Sequence, residues 1–212
     1  FATAFSFLKA IKPFIRIGYK EFTQEKSAFN SAMSYTLKRA VTGSGKEIKI
    51  DFDRALVSMG TLMPIFEGAA TVSNHQMTFN WKDNSGMGNA ERTDIVMVLV
   101  YNKDREAAVY DTEAALRSDC HAGLQLPEDW QDDELVAYLS FCSTDGNCVA
   151  NSICLPISVI EIPEEEIDVQ TESIDTTHKR ILPDKRTVHQ SRITVHSLSA
   201  PPNEIQTYRC ET

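Results

Sequence analysis

No apolar stretch of this chain is long enough for a membrane-spanning helix. The longest run, from Ile95 to Tyr101, falls far below the roughly 20 residues that a helical span requires. No P-loop, H-E-x-x-H or G-x-S-x-G pattern occurs, so the phosphate cradle, the zinc-protease helix and the nucleophile elbow that those spacings build are not expected. Cysteine is sparse. Cys120, Cys142, Cys148, Cys154 and Cys210 leave one thiol over in any pairing scheme and are too few for a cystine-stapled scaffold. No stretch collects a dense Lys/Arg patch, and a net charge of -9 opposes binding to a phosphate backbone. Nucleic acid is therefore not an expected partner. The chain opens on Phe1 rather than Met and goes directly into an amphipathic pattern, as a processed or trimmed product does. Its compartment is left open.

What is present is ordinary globular composition. Apolar residues make up 42% and charged residues 24% of 212 positions, which suits one or two domains with a real core. From Phe1 to Phe22 apolar residues recur at three- and four-residue spacing, the period of an amphipathic helix, with Pro13 expected to kink it or to start a new helix. Ser27 is a natural N-cap for a second helix through Ala28, Phe29, Ala32, Met33, Leu37 and Val41, closed by Gly43.

After Gly45 the period changes to two. Ile48, Ile50 and Phe52 alternate with charged residues, Leu56 to Met59 suggests another strand, and Met77, Phe79 and Trp81 alternate with polar partners. The loop from Asp83 to Asn89 stops that strand with Asx and Gly turn chemistry. Ile95 to Tyr101 has the continuous β-branched character of a central strand, and a hairpin turn leads into Ala107 to Tyr110. A last hairpin joins Leu135 to Cys142 with Cys148 to Leu155. Pairing Phe141 with Val149 and Ala137 with Ile153 makes one face uniformly apolar, and a slip by one residue would oppose Leu139 to Ser152. That register sets Cys142 across from Cys148. A cross-strand disulfide fits this geometry, and so do two reduced thiols. Beyond Pro156 the composition turns acidic and rich in Pro, Ser and Thr, with two short alternating stretches, Val188 to Val195 and Ile205 to Tyr208.

Several segments resemble a known group of proteins. Ile17 to Lys20, Ala32 to Lys38, Ala40 to Gly43, Phe79 to Trp81, Asp83 to Gly86 and Val98 to Asn102 are similar to recurring segments of an uncharacterised Bacteroidetes family of about 200 residues, a domain of unknown function. The resemblance covers roughly residues 1–156 and implies no activity. Family members usually begin with a Gly-rich basic stretch, absent here, and tend to stop soon after the last hairpin, so the tail departs from the pattern.

Four constellations invite chemistry. Cys120 and His121 are adjacent, and neighbours on an extended chain point to opposite sides, away from the hydrogen bond a nucleophile and base need. Cys142, Cys148 and Cys154 lack the tight spacing of zinc ligands. Asp129, Asp132 and Asp133 surround Trp130 in an acidic loop suited to a cation or a sugar, or simply to solubility. The Asp83 to Asn89 loop, with Gly86 and Gly88, suits an anion nest or a sugar site beside Trp81, although alternation assigns Trp81 to the core.

The expected architecture is a mainly β, immunoglobulin- or fibronectin-like antiparallel sandwich over residues 46–157. It is preceded by an N-terminal helical segment (residues 1–45) and followed by a linker and tail (residues 158–212). The expected role is a non-catalytic structural or protein-protein interaction module, joining a protein partner or copies of itself, as in a cell-surface or virion-type assembly. No catalytic residue, cofactor or metal is expected. The alternative is a carbohydrate-binding module using loop aromatics and the acidic loop.

Overall fold

A computed structural model describes residues 1–24, 26–44 and 47–160. The sequence-predicted strands around Val188 and Ile205, and the tail beyond residue 160, lie outside the described residues. Three short helices come first: α1 (Ala2–Ala10), α2 (Lys12–Gly18) and α3 (Ala28–Arg39). Pro13 sits in the first turn of α2, where its missing N–H costs nothing, so of the two expected courses, a kink or a new helix, the chain takes the second and breaks at Ile11. Ser27 caps α3, its hydroxyl oxygen accepting from the Asn30 N–H at 3.2 Å. The helix ends at Arg39 rather than running on to Gly43. The Ala40 carbonyl instead accepts from the Asp51 N–H at 2.7 Å, which starts a two-stranded ribbon of β1 (Val41–Thr42) and β2 (Lys49–Ile50).

Two four-stranded sheets follow. The first has the order β10-β3-β4-β7, built from β3 (Gly68–Ser73), β4 (Gln76–Trp81), β7 (His121–Gln125) and β10 (Ile157–Val159). The second has the order β6-β5-β8-β9, built from β5 (Ile95–Asn102), β6 (Ala107–Leu116), β8 (Leu135–Cys142) and β9 (Ile153–Leu155). Pairing is antiparallel except between β10 and β3. The chain leaves the second sheet at Leu155, passes Pro156, and joins the first sheet as a parallel edge strand. Residues 54–66 hold no strand, so the one expected at Leu56 to Met59 is an irregular segment.

The layers follow from the side-chain pattern. Met77, Phe79 and Trp81 of β4 point inward against Val96, Val98 and Val100 of β5 and against Leu139 and Phe141 of β8. The opposite face of the second sheet, with Met97, Leu99, Tyr101 and Tyr138, packs on Phe7, Leu8, Ile11, Phe14 and Tyr19 of the helices. The described residues are thus mainly β, with three sheets and three short helices, and the central sheet is covered on both sides. Double coverage explains why β5 is a continuous apolar run. Gly18 ends α2 where a side chain has no room: a Cβ there would lie 2.5 Å from the Val57 carbonyl oxygen.

The last hairpin takes a different register from the expected one. Cys142 faces Val149, and farther along Leu139 faces Ile153 and Ala137 faces Leu155. The turn closes one residue later than expected, with the Ser143 N–H donating to Cys148 O at 2.9 Å and Gly146 at φ 66°. Because both faces of β8 are buried, apolar facing does not discriminate between registers. Buried serines decide it instead. Ser58 Oγ donates to the Ala150 carbonyl at 2.8 Å and meets Ser140 Oγ at 2.6 Å, while Ser152 Oγ accepts from the Val57 N–H at 2.9 Å. Segment 57–62 therefore pairs with residues 149–152, and β9 begins only at Ile153.

Candidate functional site

The sequence-predicted residues scatter rather than converge. Trp130 is buried within the sandwich core and offers no exposed platform. Part of the acidic loop around it is engaged from within: Arg105 donates to Asp133, to Asp129 Oδ2 at 2.7 Å and to the Asp129 carbonyl. Hydrogen bonds from Arg105 and then from Asn102 hold the Asp133 carboxyl below the usual carboxylate range. Asp132 and Glu128 remain exposed, with no hydrogen bond or ion pair from their side chains among the described residues. Among the described residues, no group of three or more His, Cys, Asp or Glu side chains converges to hold a metal ion.

Cys142, Cys148 and Cys154 do not assemble either. Cys142 and Cys148 are free thiols, and the register places Val149, not Cys148, across from Cys142. Burial pushes the Cys142 thiol up. Cys154 lines a groove of about 930 Å³ with Asp51, Phe52, Asp53, Tyr101 and Lys103. Burial, together with a hydrogen bond to Asp53, lifts its thiol to about 12, so it is protonated at neutral pH and a poor nucleophile. His121 Nδ1 lies 2.8 Å from the Asp119 carbonyl, and Cys120 Sγ lies 3.6 Å from the Ser118 carbonyl. Each is engaged with nearby backbone rather than with the other.

The Asp83 to Asn89 loop is not an open nest. Three of its amides are satisfied internally, Ser85 N–H by Asp83 at 2.9 Å, Gly86 N–H by the Ala90 carbonyl at 2.8 Å and Met87 N–H by the Asn84 carbonyl at 3.1 Å. The loop closes over an element that the sequence did not disclose, a fully buried Arg117. Arg117 Nε donates to Asp94 at 2.9 Å, one terminal nitrogen to Asn84 Oδ1 at 2.6 Å, and the other to the Met63 carbonyl at 2.8 Å. The Arg117 carbonyl accepts from Trp81 Nε1 at 2.8 Å. Burial lowers the guanidinium from its ordinary value, and Asp94 draws it back up.

A second feature missed in the sequence is the outer face of the helices. Residues 1–50 contain nine Lys and Arg against three acids, a net charge of +6, whereas residues 51–160 contain six against seventeen, a net of -11. Whole-chain charge averages the two away, and counting by segment would have found them. Lys9, Lys12, Arg16, Lys26, Lys38 and Arg39 are exposed, and no ion pair among the described residues involves any of them. Lys26, Lys38 and Arg39 line a pocket of about 260 Å³ with Ser34, Tyr35 and Met59. Beside them Phe1 stacks on Phe5 with ring centres 6.3 Å apart, and Phe5 meets Phe29 edge-on at 5.9 Å. Glu21, by contrast, is consumed in fastening the helices to the sandwich: it accepts from the Val149 N–H at 2.7 Å and from Thr61 Oγ1 at 2.9 Å.

The chain belongs to the family of unknown function DUF6266, whose model matches residues 1–156. The match ends at Pro156, where the chain crosses between sheets. No curated protein and no solved structure matches the chain. No described helix is long and apolar enough to cross a membrane.

Proposed function

We propose that this chain is a non-catalytic structural or protein-protein interaction module whose helical layer is the recognition face. The observation that carries the reading is that layer: six exposed cations without acidic partners among the described residues, beside exposed Phe1, Phe5 and Phe22. Cations at a free surface are normally balanced by nearby acids. Aromatics exposed next to unbalanced charge are the composition of a protein-binding patch.

The finer fold reading is an immunoglobulin- or fibronectin-like sandwich. The order β3-β4-β7 against β6-β5-β8-β9 corresponds to A-B-E against C′-C-F-G in such folds, with β10 as an added edge strand. Sandwiches of this kind serve many binding roles and imply none in particular. A Bacteroidetes source, implied by the family resemblance, and a place in a cell-surface or virion-type assembly complete the proposal.

Photocrosslinking in the native cells tests it. A crosslinker at Arg16 or Lys38 should trap protein, whereas one at Lys82 on the remote sheet should not. Equal yields at both places, or none at either, would overturn the reading.

A further inference from the structure

We propose that the occupant of the basic pocket on α3 is the acidic turn of a second copy of this chain, giving head-to-tail association. The inference rests on the interaction-module reading and goes beyond it by naming the partner. The pocket gathers Lys26, Lys38 and Arg39 and, among the described residues, no acid. The complementary surface is on the same molecule: the turn from Glu128 to Asp132, before β8, presents Glu128 and Asp132 exposed and without a partner among the described residues, while Arg105 takes Asp129.

Within one copy the two surfaces are separate patches: the pocket is walled by α3 and Met59, the acidic turn packs beside β5, where Asn102 donates to Asp133 at 2.7 Å, and no ion pair among the described residues joins them. A patch that meets a different patch on the next copy is a heterologous contact, which builds rings or open chains instead of a closed two-fold dimer. Opposite charges brought together across such a contact steer association and set its register. An anionic membrane or a nucleic acid would use the cations and leave the acidic turn without a role.

The test uses the purified full chain in sedimentation velocity, from about 0.01 M to about 1 M salt, across which the Debye length falls from about 30 to about 3 Å. The expected result is concentration-dependent association at low salt that reverts to single chains at high salt. K26E/K38E/R39E and, separately, E128K/D132K should each be monomeric at low salt with unchanged circular dichroism, because all five positions are exposed. Mixing the two variants should restore association, since each then supplies what the other lost. A wild-type monomer at every salt, association indifferent to both charge reversals, or a failure of the mixture to rescue would overturn the proposal. A monomer that still crosslinks to another protein through Lys38 in cells would overturn self-association alone and leave the interaction module standing.

Discussion

The guanidinium carbon of Arg117 lies 3.8 Å from the centre of the Phe141 ring, and the same ring meets Trp81 edge-on at 6.2 Å. A charged side chain is thus stacked inside the sandwich, where its hydrogen bonds tie three otherwise separate pieces of chain: the Met63 stretch, the Asn84 loop and the Asp94 turn. Fully buried arginines occur almost only when paired, and here the fork of donors matches a carboxylate, an amide and a carbonyl at once.

Removing that pairing should be costly. R117A leaves Asp94 buried without a counter-charge, and breaking such a pair costs about 3 to 5 kcal/mol. Urea unfolding of R117A and D94N checks this, with both expected to lose stability of that order. A loss below about 1 kcal/mol would show that Arg117 is not the lock described.

The Thr36 hydroxyl gives the opposite expectation. It is buried in α3, and it is the one fully buried side-chain polar atom among the described residues without a hydrogen-bond partner. T36V keeps the shape and removes the unsatisfied group, so it should stabilise by about 1 kcal/mol, seen in calorimetry as a rise of about 2 to 4 °C in Tm. A fall in Tm would mean that the hydroxyl finds a partner in solution.

Acid should weaken the fold through two loops. Asp133 is held low by Arg105 and then Asn102, and Asp145 by Ser143 and then the Asn147 N–H. A carboxyl whose folded value is depressed binds fewer protons folded than unfolded. Its contribution is complete above the unfolded value of about 3.9 and is lost as pH falls through the folded value. The urea midpoint of D133N/D145N should therefore drop less than that of the wild type when pH is lowered from about 5 to about 2. Equal drops would assign the acid sensitivity to other groups.

Cys154 and Cys142 should be slow to alkylate. With the Cys154 thiol at about 12 against a free value of about 8.5, its thiolate is scarcer by roughly a thousandfold. Iodoacetamide at mildly alkaline pH, read by peptide mass, should label both far more slowly in the native protein than in urea. Rapid native labelling of Cys154 would contradict its burial beside Asp53.

Much of the β architecture was legible because its strands bury one face or two in the usual ways. Met77, Phe79 and Trp81 announce β4 by alternation, and the run from Ile95 announces a central strand. Pro13 and Ser27 mark a helix break and a helix start by backbone chemistry alone. What escaped has physical causes. In β3 the inward residue Ala70 is small, and β7 reads His-Ala-Gly-Leu-Gln, so neither carries much apolar signal. The hairpin register turned on three buried hydroxyls, not on apolar facing. Nothing local distinguishes Arg117 from a surface arginine, because its partners lie 23 to 54 residues away. Of the candidate site, the acidic turn was legible as charge, and the basic pocket was hidden by averaging over the whole chain.

The helical layer precedes in sequence the strands it covers. Phe7, Leu8, Ile11 and Phe14 are fully sheltered in the finished fold by residues of β5 and β8, which a ribosome delivers more than eighty residues later. At about 5 to 20 residues per second, those side chains wait several seconds or longer for their cover. A nascent chain of this design has a stretch of its synthesis in which its first helices have only one another, and not yet their sheet, to pack against.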